Sequence, residues 1–367
     1  MTVTLPGRPT ALPPLPAARQ VAEAARRRGA ALDADGAFPD QEIVALHHAG
    51  LMAAPLDWLR QGEAGAATLA GVLCAIGAGS LPLGRVYEGH VNALGLLHRL
   101  GGAPQRALLE PEIRAGRLFG VWNTDDRAAP LRLERRGTGG ILRGRKILAS
   151  GAGWVERPLV TAATPEGAVM VLPRLRQGER ADLSSWQASG MRASATGAVD
   201  LDGIELSEGE ILGAPGDYLR QPYFSSGHWR CLAVQTGGMA ELLSLLRTHL
   251  VGAGRDGDAQ QRARVADCAI ALETARLWVD RAARMAAEPL EDEAEALVAY
   301  VNLARGAVER GAARMIEDVQ RSVGLAGLMR PHPIERLSRD LGTYLRQPAP
   351  DYALQSGAAH VLGQPGW

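Results

Sequence analysis

Apolar residues recur at helical spacing through the first third of the chain. Val21, Ala24, Ala25 and Leu32 lie on one face of a helix within residues 17–32. Proline is tolerated in the first turn of a helix, so Pro39 is read as the start of the next one. The pattern predicts helices at residues 17–32, from Pro39 onward, once or twice within 66–100, and from Pro104 to Gly116.

The pattern changes at Leu118. Up to Gly213 the apolar positions fall in short runs bounded by glycines and prolines, which is typical of β-strands. The clearest predicted strands are Leu131–Glu134, Leu159–Ala162, Ala168–Leu172 and Ala198–Leu201. Helical periodicity returns after Pro222, with helices predicted at 232–250, 262–287 and 291–323. The order of elements is therefore helices, strands, helices.

The composition argues against several classes of function. The 367 residues are 46% hydrophobic with a formal net charge of zero, which favours neither nucleic-acid nor membrane-surface binding. The three cysteines are far apart and form no CxxC pair, so neither a disulfide framework nor a metal site is expected. The longest apolar stretch, at 70–78, is too short to span a bilayer, and we expect a cytoplasmic protein. Lys146 is the one lysine beside 39 arginines, so an arginine cluster is weak evidence for an anion site.

A glycine-rich stretch, Gly252–Gly257, does not predict a dinucleotide-binding fold. Its sequence GAGRDG lacks the GxGxxG spacing, and no predicted strand precedes it.

Four segments, in order over about 300 residues, resemble motifs of the acyl-CoA dehydrogenase family. They match its early P…L…GL helix, its GxKxxxSGA hairpin, its GxRxSxT strand and its C-terminal GGxG…PxERxxRD segment. The matching residues are Phe38–Leu51, Gly144–Ala152, Gly190–Thr196 and Gly324–Asp340.

The resemblance implies an α+β multidomain fold. It consists of an N-terminal all-α domain (1–117), a middle antiparallel β-barrel-like domain (118–214) and a C-terminal four-helix-bundle domain (215–367). It also implies an FAD cofactor and a homodimer or homotetramer. The Arg339-Asp340 pair is expected to be a structural ion pair.

The resemblance assigns flavin contacts to two parts of the chain. Trp122, Asn123 and Thr124 occupy the place of the loop that hydrogen-bonds the flavin ring, and Ser150-Gly151 occupies the place that holds its edge. The residue that usually offers a hydroxyl to the flavin aligns with Ala149, which cannot donate.

The second part is C-terminal. Gln320, Gly324 and Gly327 match the segment that contacts FAD bound by a neighbouring subunit, and Arg255 matches an arginine on the FAD diphosphate. Glycines also permit close backbone approach to a phosphate, and helix C-caps are the alternative explanation for Gly324 and Gly327. Arg255 is about as well explained as a surface residue.

The family's catalytic glutamate is missing. Acyl-CoA dehydrogenation needs a carboxylate that reaches the acyl α-proton, and counting on from Arg339-Asp340 puts Pro348 at its position. A second arrangement places the glutamate just before an arginine that matches Arg230, where this chain has His228-Trp229.

Replacement bases are His228, whose pKa is near neutral in the free amino acid, and Asp351, which follows Pro348 by three residues. Glu88 and His90 lie in a helix that lines the acyl pocket in the family, and the resemblance implies Trp229 and Arg230 as further substrate contacts. A surface carboxylate is the alternative for Asp351, a helix-surface acid for Glu88, and a core residue for Trp229.

Three functions remain open. The first is an FAD-dependent dehydrogenase acting on a carbon–carbon bond of an acyl thioester or similar substrate, with a non-standard base. The second is a flavin-dependent monooxygenase, and the third is a non-catalytic flavin- or acyl-binding subunit. The electron partner would be an electron-transfer flavoprotein for the dehydrogenase or a flavin reductase for the monooxygenase.

Overall fold

The computed structural model describes residues 12–289, 292–346 and 349–364. Within these residues, six α-helices precede a region of ten short strands, and six further α-helices follow it. The helices are α1 (Pro14–Arg28), α2 (Asp40–His48), α3 (Pro55–Trp58), α4 (Gly62–Gly79), α5 (Leu81–Leu100), α6 (Ala103–Arg114), α7 (Tyr223–Ser226), α8 (Trp229–Gly252), α9 (Ala259–Ala287), α10 (Ala294–Val323), α11 (Pro333–Tyr344) and α12 (Pro350–Gly363).

All strands of the described residues lie between Phe119 and Leu212. They are β1 (Phe119–Trp122), β2 (Arg132–Arg136), β3 (Gly139–Arg143), β4 (Arg145–Ala149), β5 (Arg157–Thr164), β6 (Gly167–Val171), β7 (Ala181–Asp182), β8 (Gly197–Asp200), β9 (Glu205–Leu206) and β10 (Ile211–Leu212). This order of helices and strands agrees with the pattern of apolar positions.

The strands form two sheets. The larger runs β10-β6-β5-β2-β3-β9, with β1 paired to β5, and the smaller runs β4-β8-β7. Most pairs are antiparallel, but β1 runs parallel to β5. One predicted strand is wrong: Gly190–Thr196 forms a 3-10 turn at Arg192–Ser194, flanked by Met191 and Ala195 in left-handed conformations.

The apolar stretch 66–100 divides into α4 and α5 at Ser80. Its backbone is extended (φ −163°, ψ 117°), and its hydroxyl accepts a hydrogen bond from the Leu83 N–H at 3.3 Å. A serine cap followed by Pro82 in the first turn is a strong helix start, so one helix ends and another begins there.

Backbones of α4 and α8 approach each other closely through glycines. A Cβ on Gly77 would lie 2.2 Å from the Val234 carbonyl oxygen, and one on Gly237 would lie 2.1 Å from that of Cys74. Gly79 faces α1 in the same way, at 2.3 Å from the Ala22 oxygen. Helix α4 has the length and apolar composition to cross a membrane, but these contacts pack it against other helices of the protein.

Helix α11 joins all three regions of the chain. The Arg339 guanidinium binds Asp33 (2.6 Å), Glu335 (2.6 Å) and the Ser189 carbonyl (2.6 Å). Asp340 accepts a hydrogen bond from the Met191 N–H at 2.6 Å, and burial raises the pKa of this carboxyl to about 6. The expected Arg339–Asp340 ion pair is therefore wrong: each residue has other partners, although both are structural.

We expect Gly77→Ala to lower the free energy of unfolding by about 1–3 kcal/mol, because the new methyl group would force α4 and α8 apart. Gly71→Ala, in the same helix, is the matched control, since its Cβ would meet Leu15 at an ordinary 3.8 Å. The control should gain about 0.5–1 kcal/mol from helix propensity. Urea denaturation measures both, and equal effects would contradict the close approach.

Candidate active site

A cavity of about 510 Å³ lies where the β region meets the helices. The end of β1 contributes Trp122, Asn123 and Thr124 to its wall. Glu88 from α5, together with His228 and Arg230 at the start of α8, completes the set of predicted residues that it brings together. Six predicted site residues, distant in sequence, therefore line one cavity.

The loop after β1 is fixed by Lys146, which is fully buried. Its ammonium donates to Asp125 Oδ1 at 2.7 Å, to Thr161 Oγ1 at 3.2 Å and to the Asn123 carbonyl at 3.4 Å. Thr161 in turn donates to Asn123 Oδ1 at 2.5 Å. Burial lowers the pKa of Lys146, and the hydrogen bond and charge of Asp125 oppose this shift. A compact ammonium with three donors suits this task better than a planar guanidinium.

Leu148 is a lining residue that the sequence did not reveal. It lies in β4 with φ 53°, where the pairing of β4 with β8 shifts register, and its side chain is 58% exposed. Left-handed backbone at a non-glycine residue is strained and tends to occur at functional sites. Here it places an apolar side chain on the cavity wall.

Ser150 and Gly151 support the wall but do not line the cavity. The Trp122 indole donates to the Ser150 carbonyl at 2.9 Å, and the Thr196 hydroxyl donates to Ser150 Oγ at 3.2 Å. These bonds fix the turn behind the Trp122 ring. The predicted contact of Ser150-Gly151 with a flavin edge stays a prediction.

Glu88 is the one carboxylate among the described lining residues. It accepts hydrogen bonds from Arg85 Nη1 at 2.5 Å and from the Asn92 side-chain amide. Both of its oxygens are therefore engaged within α5, at positions three and four residues away, and Glu88 is not a free base.

His228 is placed to accept a proton. It precedes α8, and its Nδ1 lies 3.0 Å from the Ser225 carbonyl oxygen. A carbonyl only accepts, so Nδ1 carries the proton and Nε2 of the neutral ring keeps its lone pair. Burial, followed by the positive charge of Arg305, lowers the pKa of His228. The imidazole is thus held neutral at pH 7.

Three residues predicted to be catalytic or to contact the substrate lie outside this cavity. His90 is fully buried, with Nε2 bonded to the Met52 carbonyl at 2.8 Å and Nδ1 accepting from the Phe119 N–H at 3.1 Å. Both ring nitrogens bind the backbone, so the position of His90 does not support the predicted contact with substrate. Trp229 is buried and lines a second cavity instead.

Asp351 is exposed in the first turn of α12 and is not among the residues lining the cavity, whereas Ala349, Tyr352 and Ala353 are. Its proposed role as a base is therefore not supported by its position. Pro348, which replaces the expected glutamate, lies outside the described residues.

The C-terminal flavin residues form a separate group at the end of α10. The Arg255 guanidinium donates to the Ser322 carbonyl at 3.1 Å, and the Gly324 N–H caps α10 at the Gln320 carbonyl. Gly324 has φ 76° with open space around its Cα, while Gly327 packs against Val323. None of these residues lines the cavity, so within one chain the two predicted groups of flavin contacts stay apart.

No protein-family model matches the chain, and no curated protein matches it in sequence. Solved structures do match it over nearly their whole length. KijD3 in complex with dTDP is 22% identical with a TM-score of 0.81, covering 98% of each chain. TdsC from Paenibacillus sp. A11-2 with FMN and indole is 18% identical with a TM-score of 0.78, covering 95% of this chain and 97% of TdsC.

Glutaryl-coenzyme A dehydrogenase in complex with glutaryl-CoA is 20% identical with a TM-score of 0.82, covering 99% of this chain and 97% of the dehydrogenase. At these identities the similarity establishes the fold. The chain has the acyl-CoA dehydrogenase fold, with helical, β and helical regions in that order, which confirms the fold class predicted from the sequence.

We expect His90 to make the protein acid-sensitive. Burial lowers the pKa of His90 to about 4, whereas the unfolded chain binds this proton below about 6.5. The unfolded state therefore binds more protons between these values, and the free energy of unfolding should fall by about 3 kcal/mol as the pH drops through this window.

The measurement is urea denaturation at pH 7 and pH 4.5. In His90→Gln the free energy of unfolding should fall less between these two pH values than it does in the wild type. His48→Gln, at an exposed position, is the control, and its free energy of unfolding should change with pH as that of the wild type does. If the free energy of unfolding of His90→Gln changed with pH as much as that of the wild type, His90 would not be a neutral core residue.

Proposed function

We propose that this protein is a flavin-dependent monooxygenase that uses reduced flavin and dioxygen to oxidise a small organic substrate. The observation that carries the proposal is the chemistry of the cavity: a fixed loop after β1 faces a neutral histidine, and the one carboxylate among the described lining residues is held by Arg85 and Asn92. That set lacks the free carboxylate that acyl-CoA dehydrogenation needs.

The residues present fit a flavin. Trp122, Asn123 and Thr124 offer an aromatic face and amide groups on a loop that Lys146 holds in place, and the cavity has excess positive charge from its arginines. When bound, the reduced flavin supplies two electrons to dioxygen, so that one oxygen atom enters the substrate and the other leaves as water.

The chain's own residues would orient and protect this chemistry. His228 Nε2 can take up the proton that the substrate releases at the oxidised atom, since the neutral ring has its lone pair there. Leu148 and Tyr352 line the cavity with side chains that are largely exposed, and could shield it from water once a ligand is bound.

Two of the similar structures support the proposal of a flavin-dependent monooxygenase. TdsC is a dibenzothiophene monooxygenase solved with FMN, and KijD3 is solved with FMN and a dTDP-linked amino sugar. Carried over to this chain, the likeness favours reduced flavin delivered by a flavin reductase as the partner. It leaves FMN or FAD as the cofactor.

A dehydrogenase remains the second candidate, favoured by the similarity to glutaryl-CoA dehydrogenase. In that case His228 would have to remove the acyl α-proton in place of the missing glutamate, and an electron-transfer flavoprotein would take the electrons. His228→Asn should then slow flavin reduction by about 100- to 10,000-fold.

We also propose a homo-oligomer, a dimer or tetramer, with the segment after α10 at the interface. Leu325, Leu328 and Met329 are all more than half exposed beside Gly324. A second subunit covering this apolar segment would bring Arg255, Gln320 and Gly324 to a flavin bound in its own cavity.

Flavin spectra distinguish the two candidate reactions. Anaerobic mixing of the oxidised flavoprotein with butyryl-CoA or octanoyl-CoA should leave the 450 nm band of the flavin at about its starting intensity, because the described lining residues include no free carboxylate. The photoreduced protein should be reoxidised when oxygen is admitted. Bleaching by either thioester within seconds would contradict the monooxygenase and favour the dehydrogenase.

Gly324→Leu tests the C-terminal flavin contact. We expect the variant to bind FAD at least about tenfold more weakly, because a side chain would block backbone approach to the diphosphate. Gly203→Leu is a matched control, since Gly203 also has φ 76° and open space but lies in a turn of the β region. Equal FAD affinity in both variants, measured by flavin fluorescence and with the oligomeric state checked by light scattering, would contradict the assignment.

A further inference from the structure

The candidate active site continues into a second cavity of about 340 Å³. Trp58, Leu69 and Trp229 form apolar parts of its wall. Gly95, Arg99, Tyr223 and Arg230 line both cavities and therefore form the junction between them.

Arg230 is the central residue of this junction, and its charge has no ion-pair partner among the described residues. Its Nη1 donates to the neutral Asn92 side chain at 3.2 Å, and its Nε is buried without a hydrogen bond. Burial and the positive charge of Arg99 lower the pKa of Arg230 to about 10, against the opposing charge of Glu88. The guanidinium is thus held in an environment that disfavours its charge.

Arg99 adds a second positive charge to the junction. Its guanidinium stacks over the Tyr223 ring at 3.9 Å, and no ion pair of Arg99 is found in the described part of the chain. Gly95 leaves the approach to these groups open, since a Cβ there would lie 3.7 Å from Arg230 Nη2.

Elsewhere the same chain neutralises its buried arginines. Arg157 is 2% exposed, and its guanidinium pairs with Glu112 at 2.7 Å and with Glu210 at 2.5 Å. An enclosed charge is normally paired in this way, because removing it from water is costly. Since no carboxylate of the described residues pairs with Arg230, we infer that its counter-charge comes from a ligand.

We propose that Arg230, assisted by Arg99, binds the carboxylate of the substrate, and that the substrate is an aromatic carboxylic acid. This deepens the monooxygenase proposal and rests on it. A guanidinium fork matches the two oxygens of a carboxylate, and the Tyr218 and Phe224 rings that line the candidate active site suit a flat apolar body. With its acid group at the junction, such a substrate can extend toward His228 and the loop after β1.

The experiment compares phenylacetate with phenylacetamide, its neutral near-isostere, by calorimetric titration of the full chain with and without saturating FMN. We expect phenylacetate to bind at least about tenfold more tightly under both conditions. Arg230→Gln should weaken phenylacetate binding by about 10- to 100-fold and leave phenylacetamide unchanged. Arg99→Gln should cost about two- to fivefold, as expected of an exposed charge.

Arg136→Gln is the control, since Arg136 is exposed in β2 and lines neither cavity. Thermal unfolding excludes a merely structural role. Arg230→Gln should keep or raise the melting temperature, because it removes an unpaired charge, whereas Arg157→Gln should lower it by stranding two carboxylates.

Equal affinity for the acid and the amide, or a loss in Arg230→Gln no larger than in Arg136→Gln, would overturn the proposal. So would a fall in melting temperature for Arg230→Gln like that of Arg157→Gln. Displacement of phenylacetate by FMN or by inorganic phosphate would also overturn it, because the arginines would then hold a cofactor phosphate. A chain that binds phenylacetate through Arg230 but binds no flavin would retain the carboxylate subsite and refute the monooxygenase.

Discussion

The close backbone approach of α4 and α8 is the constraint on which the candidate active site depends. Gly77 and Gly237 leave no room for a side chain between the two backbones, and Gly84 lets α5 pack against the Val234 side chain of α8. This fixes the start of α8, with His228 and Arg230, beside the residues of α5 that contain Glu88 and Asn92. A wider spacing would move His228 and Arg230 away from α5, which contains Asn92, the hydrogen-bond acceptor of Arg230.

The positively charged side chains inside this protein have two kinds of surroundings. Lys146, Arg157 and Arg339 are each matched by carboxylates or carbonyls, and each ties separate parts of the chain together. Arg230 instead donates to the neutral Asn92 side chain, and its buried Nε has no hydrogen-bond partner in the described part of the chain. The first arrangement stabilises architecture. The second is costly in the free protein and becomes favourable when an anion arrives, which is the usual physical signature of a binding site.

Much of the fold could be predicted from sequence, because apolar periodicity and punctuation by glycine and proline reflect the same burial that forms the elements. The site was harder. Glu88 and His228 were correctly expected near the cavity, but His90 was assigned to the substrate pocket together with Glu88. Two positions along a helix correspond to a rotation of about 200°, so His90 points away from the side of α5 on which Glu88 lies. It faces β1 and the Met52 carbonyl instead.

Other features had no readable signal. Arg99 was hidden among 39 arginines, and the left-handed Leu148 depends on a register shift between strands that a linear pattern does not show. Lys146 was noticed as the one lysine, yet its oxygen partners lie in the loop at residues 123–125 and in β5, which meet only after folding.

A crystal structure of the protein grown with FMN and phenylacetate tests the central claim most directly. We expect the flavin ring against Trp122, Asn123 and Thr124, with the carboxylate on Arg230 at the junction of the two cavities. A flavin bound elsewhere, or a flavin phosphate occupying Arg230, would contradict this account of the site.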